Sequence, residues 1–293
     1  MTLSKGNELS NFDALSSVAD PRVRPKPLQK HTLLTIAGFD PSSGAGITAD
    51  LMVFAAHGFF GTSCITALTV QNTLGVFATH VLAPHIVTAT LDCLWSDLPP
   101  AGIKIGMLGT ADTVSTVSAF LTRIRSQTTV VVVLDPVLKS SSGKDLLDAI
   151  GVDRLRSELL PQVDWITPNI HELGILIGRE VHSGTDLVAA ASDLQKLGRD
   201  LAVVVTGGDL DPPDDLILLP DSEHTRLRGE KIQTTSTHGT GCAFSSALLS
   251  HLISSGNPLQ AATAAKAYVA ESMKLADPIG TGHGPLNHLW PIV

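Results

Sequence analysis

Short apolar runs recur along the chain and alternate with longer stretches of helical periodicity. The runs are rich in β-branched residues and end in glycine, proline or aspartate, which predicts strands buried on both faces. They cover Thr32–Ala37, Ile103–Met107, Val130–Leu134, Trp165–Ile166 and Leu201–Val205. The stretches that predict helices are Ile47–His57, Ala111–Arg125, Thr185–Gly198 and Ala243–Ser254. This alternation predicts an α/β fold with a mostly parallel central sheet and helices on both faces.

The first thirty residues differ from the rest of the chain. They are polar, contain Pro21, Pro25 and Pro27, and show no clear periodicity. We therefore expect residues 1–30 to form a flexible N-terminal extension. Across the 293 residues, hydrophobic side chains make up 43% and charged ones 16%, which supplies a large core and excludes wholesale disorder. The length fits one large domain or two small ones.

Charge and cysteine content narrow the possible partners and the compartment. The net charge of −8 argues against nucleic acid, whose binding needs clustered Lys and Arg side chains. The three cysteines are odd in number and contain no CxxC pair, which favours a reducing cytoplasm over a disulfide framework. No uncharged apolar run reaches the roughly 18 residues of a membrane span. We therefore expect a cytoplasmic protein with no membrane or nucleic-acid partner.

A glycine-rich segment, Gly38–Asp50, joins the first predicted strand to the first predicted helix. Residues 44–49 fit the dinucleotide fingerprint GxGxxA, but Leu51–Leu91 contains no acidic residue to hold a ribose. The segment could also be a turn that binds no ligand. A third interpretation is that its small residues let a flat ring lie against the backbone, with Asp50 pointing into the site.

A second glycine-rich loop, Thr237–Phe244, leads into an apolar helix. Its backbone N–H groups would lie at the positive end of the helix dipole, which predicts an anion hole. Such a hole stabilises the charge that spreads over the oxygens of a phosphoryl group during transfer. Cys242 lies at the mouth of this helix, where the pKa of a thiol is typically lowered. The alternative is that Cys242 is a small buried helix residue.

Two further polar positions follow predicted strands. Asp135 comes directly after Val130–Leu134 and is a candidate for metal or phosphate binding, or for a turn-forming Asp-Pro. Asn169 and Glu172 follow another strand and would share a helix face, from which they could bind Mg²⁺ through water. The same spacing fits a helix cap and its capping-box partner. Ligands of parallel sheets bind beyond the C-terminal ends of the strands, where all these residues are expected.

Seven sequence blocks, in one order, resemble the hydroxymethylpyrimidine and phosphomethylpyrimidine kinases of thiamine biosynthesis. The blocks are Ala37–Ile47, Ile65–Thr73, Lys104–Leu108, Asp135–Val137, Ile166–Asn169, His238–Cys242 and Gly282–His288. These kinases belong to the ribokinase-like superfamily, which implies a three-layer sandwich with a mostly parallel sheet. The resemblance runs from about Leu33 to His288 and implies one kinase domain over residues 31–293. It also implies ATP as co-substrate, Mg²⁺ as cofactor, and a homodimer.

The resemblance implies roles for individual residues. It places Gln71 on the edge of the aminopyrimidine, and a Gln amide offers both the donor and the acceptor for that contact. The other residues implied for the ring pocket are Asp50, Met107, Val137 and Gly38. Gly239 and Gly241 resemble the family's oxyanion hole, and Cys242 stands where most ribokinase relatives have an aspartate base. For ATP the resemblance implies Asp135, Asn169, Thr206, Gly208 and Lys266, and for Mg²⁺ it implies Glu172 and Asp135.

The chain departs from the family pattern at two places. Thr206–Asp209 stands where the family has Lys-Gly-Gly-His, so the lysine that normally meets the ATP phosphates is missing. Ser42–Gly46 reads Ser-Ser-Gly-Ala-Gly in place of Ser-Gly-Gly-Ala-Gly, which adds a side chain beside the substrate. The expected activity is phosphorylation of 4-amino-5-hydroxymethyl-2-methylpyrimidine, its monophosphate, or both. The alternatives are a pyridoxine or pyridoxal kinase of the same fold, and a non-catalytic ring-binding protein.

Overall fold

Nine strands of the described residues form one sheet. The computed structural model describes residues 31–140, 143–182, 184–208, 210–220 and 224–292. The strands are β1 Thr32–Phe39, β2 Phe60–Asn72, β3 Gly75–Val81, β4 Gly102–Ile105, β5 Val131–Leu134, β6 Trp165–Ile166, β7 Ala202–Val205, β8 Asp215–Leu218 and β9 Thr225–Leu227. Their order is β3-β2-β1-β4-β5-β6-β7-β8-β9. The six central strands, β2, β1, β4, β5, β6 and β7, are parallel to one another. Strands β3, β8 and β9 pair antiparallel at the two edges.

Helices cover both faces of the sheet. They are α1 Gly46–Ala56, α2 Pro84–Asp97, α3 Ala111–Arg125, α4 Ala149–Arg154, α5 Ile170–Ile177, α6 Thr185–Gln195, α7 Thr240–Ser255 and α8 Pro258–Lys274. Helices α1, α7 and α8 share one buried cluster, and α2, α3, α5 and α6 share the other. Successive residues of β1 enter opposite layers, since Leu33 belongs to the first cluster and Leu34 to the second. The predicted three-layer α/β architecture is confirmed.

Most of the predicted elements are present with small changes at their ends. Helix α3 has the predicted bounds, as does β6. Strand β4 ends at Ile105 instead of Met107, and α7 begins at Thr240 instead of Ala243. The long hairpin of β2 and β3 was not predicted, because only the first half of β2 lies in the core while its second half alternates between exposed and half-buried positions.

The strand order places a crevice at the carboxyl edge of the sheet. From β1 the chain moves first to β2 on one side, and it later returns to pair β4 on the other side. Such a switch in direction opens a ligand crevice beyond the C-terminal ends of the strands. Gly38 lies at the end of β1, and Met107, Asp135, Asn169 and Thr206 follow β4, β5, β6 and β7 in turn. The fold therefore brings most of the predicted site residues to one edge.

The stretch from residue 31 to the C-terminus forms one unit, His31–Val293. The flexible extension predicted for residues 1–30 lies outside the described residues. Within the part of the chain that is described, no helix is long and apolar enough to cross a lipid bilayer.

Candidate functional site

The glycine turn before α7 has the geometry of an anion hole. Gly239 is the N-cap of α7 and adopts the left-handed conformation, with φ 88°. The N–H groups in the first turn of a helix have no intrahelical partner. No side chain of the described residues caps this helix either, so these groups are left to bind an anion. A Cβ on Gly241 would lie 3.7 Å from Asp135 Oδ2, which places that carboxylate beside the turn. The positive end of α7 therefore faces the crevice.

Cys242 lies in this first turn and is half-buried. Contact with the Cys242 thiol lowers the pKa of Asp135, and contact with the Gly46 N–H lowers that of Cys242, although burial outweighs both effects. Burial raises the pKa of Cys242 to about 12; Lys104 opposes this shift, while Asp135 and Asp50 add to it. The expected lowering of this pKa at the helix mouth is therefore wrong, because desolvation and the neighbouring carboxylates outweigh the helix dipole.

A buried ion cluster of Lys104, Asp50 and Asp135 lies beneath the turn. Lys104 Nζ is 2.9 Å from both oxygens of Asp50 and 3.9 Å from Asp135 Oδ2. Burial alone would lower the pKa of Lys104, but the charges of the surrounding groups, Asp50 first, raise it above its usual value. Lys104 is therefore a fixed cation inside the protein.

The same cluster explains the position of Asp50. Its carboxylate accepts hydrogen bonds from Thr35 Oγ1 at 2.5 Å and Ser246 Oγ at 2.8 Å, besides the ion pair with Lys104. Asp50 is 0% exposed. Asp50 therefore anchors the buried cluster, and its implied place in the wall of the ring pocket stays a prediction.

Three residues implied for the ring pocket lie together. A Cβ on Gly38 would be 2.9 Å from Met107 Sδ, so the backbone of β1 approaches this side chain closely. Met107 in turn packs with Ala67, Leu146 and Val137. The arrangement gives an apolar wall at the end of β1, which suits the face of a flat ring.

Gln71 lies at the end of β2, on a polar side of the crevice. Its Nε2 is 2.9 Å from His238 Nε2, and the same His238 nitrogen is 2.7 Å from Asp40 Oδ2. Asp40 also accepts from the backbone and hydroxyl of Ser42 and from Ala45 N. Burial works against ionisation of Asp40, but the hydrogen bonds from His238 and Ser42 lower its pKa below the usual value.

The nucleotide-side residues follow β6 and β7. Asn169 Oδ1 accepts from Glu172 N at 2.8 Å, and Glu172 Oε2 accepts from Asn169 N at 3.0 Å. The predicted capping box is confirmed, while the predicted role of both residues toward Mg²⁺ and ATP stays a prediction. Thr206 N donates to Pro168 O at 2.9 Å, which holds the loop after β7 against the residue that precedes Asn169.

Lys266 lies beside that loop through a shared carboxylate. Its Nζ is 2.9 Å from Asp215 Oδ2, and Asp215 Oδ1 accepts from Gly207 N at 2.8 Å. Burial raises the pKa of Asp215, and the charge of Lys266 opposes that shift. A cation is therefore present next to Thr206 and the exposed Gly208, although it comes from α8 and not from the family's usual position.

Sequence reasoning missed the role of three residues in this site: Asp40, Lys104 and His238. For Lys104 a signal was available, since a lysine between apolar residues in a buried strand requires a carboxylate partner. For Asp40 and His238 no local signal exists. They are 198 residues apart in the chain, and no spacing rule joins them.

The comparisons with known proteins agree with this geometry. Residues 40–287 match the family model described as phosphomethylpyrimidine kinase. The hydroxymethylpyrimidine/phosphomethylpyrimidine kinase of Haemophilus influenzae is 41% identical over 261 residues, which are 87% of this chain and 96% of that protein. A thiamine biosynthesis bifunctional protein of Geobacter sulfurreducens is 39% identical over 91% of this chain, and the chain spans about half of its length, 54%.

Two solved structures show the same fold. Phosphomethylpyrimidine kinase from Clostridium difficile 630 is similar with a TM-score of 0.72 and 34% identity, covering 83% of this chain and 99% of that chain. Pyridoxal kinase from Staphylococcus aureus, in complex with AMP-PCP and pyridoxal, has a TM-score of 0.77 and 28% identity, covering 89% and 94%. The sheet and the glycine turn thus define an α/β phosphotransferase of the ribokinase-like class. Within that class, the chain belongs to the phosphomethylpyrimidine kinase family.

Proposed function

We propose that the chain transfers the γ-phosphoryl group of ATP to 4-amino-5-hydroxymethyl-2-methylpyrimidine, to its monophosphate, or to both, in thiamine biosynthesis. The observation that carries the proposal is the contact of Gln71 with His238, 2.9 Å between their Nε2 atoms. His238 directly precedes Gly239, so the group expected to bind the ring is joined to the turn expected to bind the phosphate. The two halves of a kinase reaction are held next to each other.

The ring would be held by a polar edge and an apolar wall. The Gln71 amide can pair with the ring nitrogen and the amino group of an aminopyrimidine. Met107 and Val137, which pack together, would cover a face of the ring close to the backbone at Gly38. With the ring held in this way, its hydroxymethyl group would point toward the start of α7.

The turn and Cys242 would act on the transferring group. The amides of Gly239 and Gly241 would stabilise charge on the phosphoryl oxygens. As the substrate oxygen bonds to the γ-phosphorus, the bond from that phosphorus to the ADP oxygen breaks and the hydroxyl proton must leave. Cys242 would orient that hydroxyl, or it would accept the hydroxyl proton while passing its own thiol proton to Asp135.

The nucleotide would lie across the ends of β6 and β7. Asn169, Thr206, Gly208 and Lys266 are the candidates on that side. The negative phosphates of a nucleotide favour a position close to the cation of Lys266. Mg²⁺ is usually bound by one or two carboxylates together with phosphates and water. Among the described residues, no group of three or more His, Cys, Asp or Glu side chains could hold a metal ion. Asp135 and Glu172 stay candidates for binding Mg²⁺ together with ATP. The ion would neutralise part of the charge on the phosphates.

A phosphorylation assay with three acceptors tests the proposal. The hydroxymethylpyrimidine, its monophosphate and pyridoxal are each incubated with MgATP, and the phosphorylated product is measured with ADP. Turnover of either pyrimidine above that of pyridoxal is expected. Preferential turnover of pyridoxal would favour the second candidate, a pyridoxal kinase, which the S. aureus neighbour supports. Ring binding without turnover of any acceptor would indicate a non-catalytic protein, for which the Thr206 departure is the motive.

We also propose that the protein is a cytoplasmic homodimer. The surface that supports dimerisation is the hairpin of β2 and β3, where Leu68, Val70, Leu74 and Phe77 are exposed at 44%, 51%, 61% and 62%. Exposed large apolar side chains concentrated on one hairpin are typical of contact between subunits. The three cysteines are all unpaired, which suits a reducing compartment. Light scattering of the purified chain measures the mass, and a monomer at micromolar concentration would contradict the dimer.

A further inference from the structure

One nitrogen of His238 contacts two groups, a carboxylate that needs a hydrogen-bond donor and an amide whose NH₂ group would need an acceptor. Its Nε2 is 2.7 Å from Asp40 Oδ2 and 2.9 Å from the Gln71 amide. A ring nitrogen carries either a proton or a lone pair, so Nε2 cannot donate to Asp40 and accept from Gln71 at the same time. One of the two partners must determine the tautomer.

Asp40 is the stronger partner. Its Oδ1 accepts from Ser42 N at 2.8 Å and Ser42 Oγ at 2.7 Å, and its Oδ2 accepts from Ala45 N at 3.0 Å. Four donors, counting His238, point at this carboxyl group, and they favour its ionised form. A bare Nε2 at 2.7 Å would set its lone pair against a carboxylate oxygen, whereas a protonated Nε2 forms a short charge-assisted hydrogen bond.

The packing around His238 holds its ring in one plane, and the contact with Asp40 Oδ2 selects the orientation that presents Nε2. A Cβ on Gly44 would be 2.3 Å from His238 Cδ2, so the imidazole lies directly on the backbone of the Ser43–Ala45 loop. That loop is held in turn by His288, whose Nε2 is 3.1 Å from Gly44 O. The His238 side chain is 10% exposed and is confined by this backbone.

We infer that Asp40 keeps the proton of His238 on Nε2, and that His238 thereby makes the Gln71 amide turn its carbonyl oxygen toward the imidazole and its NH₂ toward Thr69. The two ends of a Gln amide have nearly the same shape, so the hydrogen-bond network decides their order. The other end of this amide is 3.2 Å from Thr69 Oγ1. Thr69 Oγ1 donates to Phe39 O at 3.0 Å, which leaves its oxygen able to accept from an N–H of Gln71.

A fixed amide has a consequence for the substrate. The edge that pairs with it must bring an acceptor to the NH₂ and a donor to the carbonyl oxygen. An aminopyrimidine carries one ring nitrogen acceptor next to one amino donor, so it can pair in one in-plane direction and not in the reverse. His238 is then a positioning residue that determines on which side the hydroxymethyl group lies, and that discriminates between rings with and without the amino donor. This step rests on the proposed contact of Gln71 with the ring.

The tautomer is tested by NMR on the full ¹⁵N-labelled chain, with the His238 signals assigned through their loss in His238→Gln. The expected pattern is a protonated Nε2 at neutral pH, coupled to the ring carbons as in the Nε2–H tautomer. A proton on Nδ1 with a bare Nε2 would overturn the inference. This measurement needs neither substrate nor turnover, so it does not depend on the proposed function.

The discrimination is tested by calorimetry with two probes, the hydroxymethylpyrimidine and the same ring without its amino group. The expected result is a preference for the amino ring of roughly tenfold in Kd, the effect of about one unpaired buried polar group. His238→Leu should reduce the preference to about twofold or less, while His238→Gln, which can keep a donor, should retain part of it. His251→Leu is the control, because His251 lies in α7, away from the ring site, and is a half-buried histidine whose Nε2 also contacts a polar side chain, His57 Nε2, at 3.2 Å.

The double variant His238→Leu/Gln71→Ala completes the test. If His238 acts through Gln71, the double variant should lose no more of the preference for the amino ring than Gln71→Ala alone, since the effects of coupled residues are not additive. Additive losses, or an unchanged preference in His238→Leu, would overturn the inference. Equal binding of both probes to the unsubstituted chain would also overturn it. Absence of turnover with normal discrimination would instead contradict the proposed function.

Discussion

The ring side and the nucleotide side of the crevice are built in different ways. On the ring side, backbone segments press together with no spare room: a Cβ on Gly44 would be 2.3 Å from His238, and a Cβ on Gly239 would be 1.9 Å from Gly44 O. On the nucleotide side the packing changes within one loop: a Cβ on Gly207 would be 2.0 Å from Asp214 O, whereas a Cβ on Gly208 would meet nothing within 4 Å. The ring side is a packed interior, and the nucleotide side opens to solvent at Gly208.

The two departures that the family resemblance implies fall one on each side. Ser43 adds a side chain in the loop that packs on His238, and Thr206 stands two residues before the exposed Gly208, in place of the lysine that the resemblance implies. Phosphates can be held by backbone amides and by cations from several directions, so one side chain can be exchanged for another. A ring edge is recognised by a small number of directed hydrogen bonds, which allow no such exchange. The five predictions that follow test this comparison.

The largest effect is expected from the ion cluster beneath both sides. Lys104→Met leaves the buried carboxylates of Asp50 and Asp135 without their cation, which should cost roughly 3–5 kcal/mol of unfolding free energy. Urea denaturation measures it. The control is Lys139→Met, because Lys139 and its partner Asp145 are 41% and 74% exposed and such a pair contributes about 1 kcal/mol or less. Equal losses in the two variants would contradict a structural role for the cluster.

Cys242→Ser should lower turnover by about 10²-fold, the range for losing a positioned acid–base group. Because the pKa of Cys242 is raised to about 12, the thiol is protonated at neutral pH, and its alkylation should speed up as the pH rises through the alkaline range. Cys93, which is exposed, should be alkylated first. Mass spectrometry of the labelled cysteines, beside steady-state kinetics, checks both statements. Fast labelling of Cys242 at neutral pH, with near-normal turnover in the variant, would leave it without a catalytic role.

Gln71→Ala should weaken binding of the hydroxymethylpyrimidine by roughly 1–3 kcal/mol, because it leaves polar groups of the ring unpaired. Calorimetry with the pyrimidine measures the loss, and the Kd of ATP serves as the control, since the substitution lies on the ring side. If the affinity for the pyrimidine stays the same, Gln71 is not part of the ring site. If both affinities fall together, the two sides are not independent.

Thr206→Lys should tighten ATP by about fivefold to tenfold, as expected for a restored contact of about 1 kcal/mol between a cation and phosphate. The loop after β7 should accept the longer side chain without a loss of unfolding free energy. The Kd of ATP and the unfolding free energy are measured together. An unchanged Kd would mean that Lys266, paired with Asp215 at 2.9 Å, already supplies the charge that the family takes from its lysine.

The smallest effect is expected at Ser43, a non-glycine residue with φ 61°. The left-handed conformation costs a side chain about 1–2 kcal/mol, while glycine adds about 0.4–1 kcal/mol of freedom to the unfolded chain. Ser43→Gly should therefore raise the unfolding free energy by about 1 kcal/mol or less. The neighbouring Ser42→Gly is the control and should lower it, because it removes the Ser42 hydroxyl from Asp40 Oδ1. A loss of stability in both variants would contradict the strain at Ser43.

The sequence predicted the parallel part of the sheet well, because strands buried on both faces are continuous apolar runs bounded by turn residues. Strand β2 escaped this rule, since Leu68 and Val70 are exposed on a strand that leaves the core. The anion hole was predicted because its signal is local, a glycine turn before an apolar helix. The pKa of Cys242 was not, because it depends on burial and on the charges of Asp135 after β5, Asp50 in α1 and Lys104 in β4, which meet only in the folded chain.

The same distinction applies to the polar network of the site. The capping box of Asn169 and Glu172 is a spacing of three residues and was predicted from the sequence. The contacts of His238 with Asp40 and Gln71 join residues 198 and 167 positions apart. No periodicity along the chain reports on such pairs, and the resemblance to a family supplied the role of Gln71 without the residue that orients it.

The clamp of His288 on Gly44 spans 244 residues of the chain, which bears on when the enzyme first becomes competent during its synthesis. A ribosome releases the first strand and its glycine loop well before the two imidazoles that hold this loop in place, those of His238 and His288. Contacts between such distant segments form late because a long loop must close first. The nascent chain therefore carries an unfinished ring pocket until both histidines have emerged, and a truncation that removes His288 should remove substrate recognition before it removes the sheet.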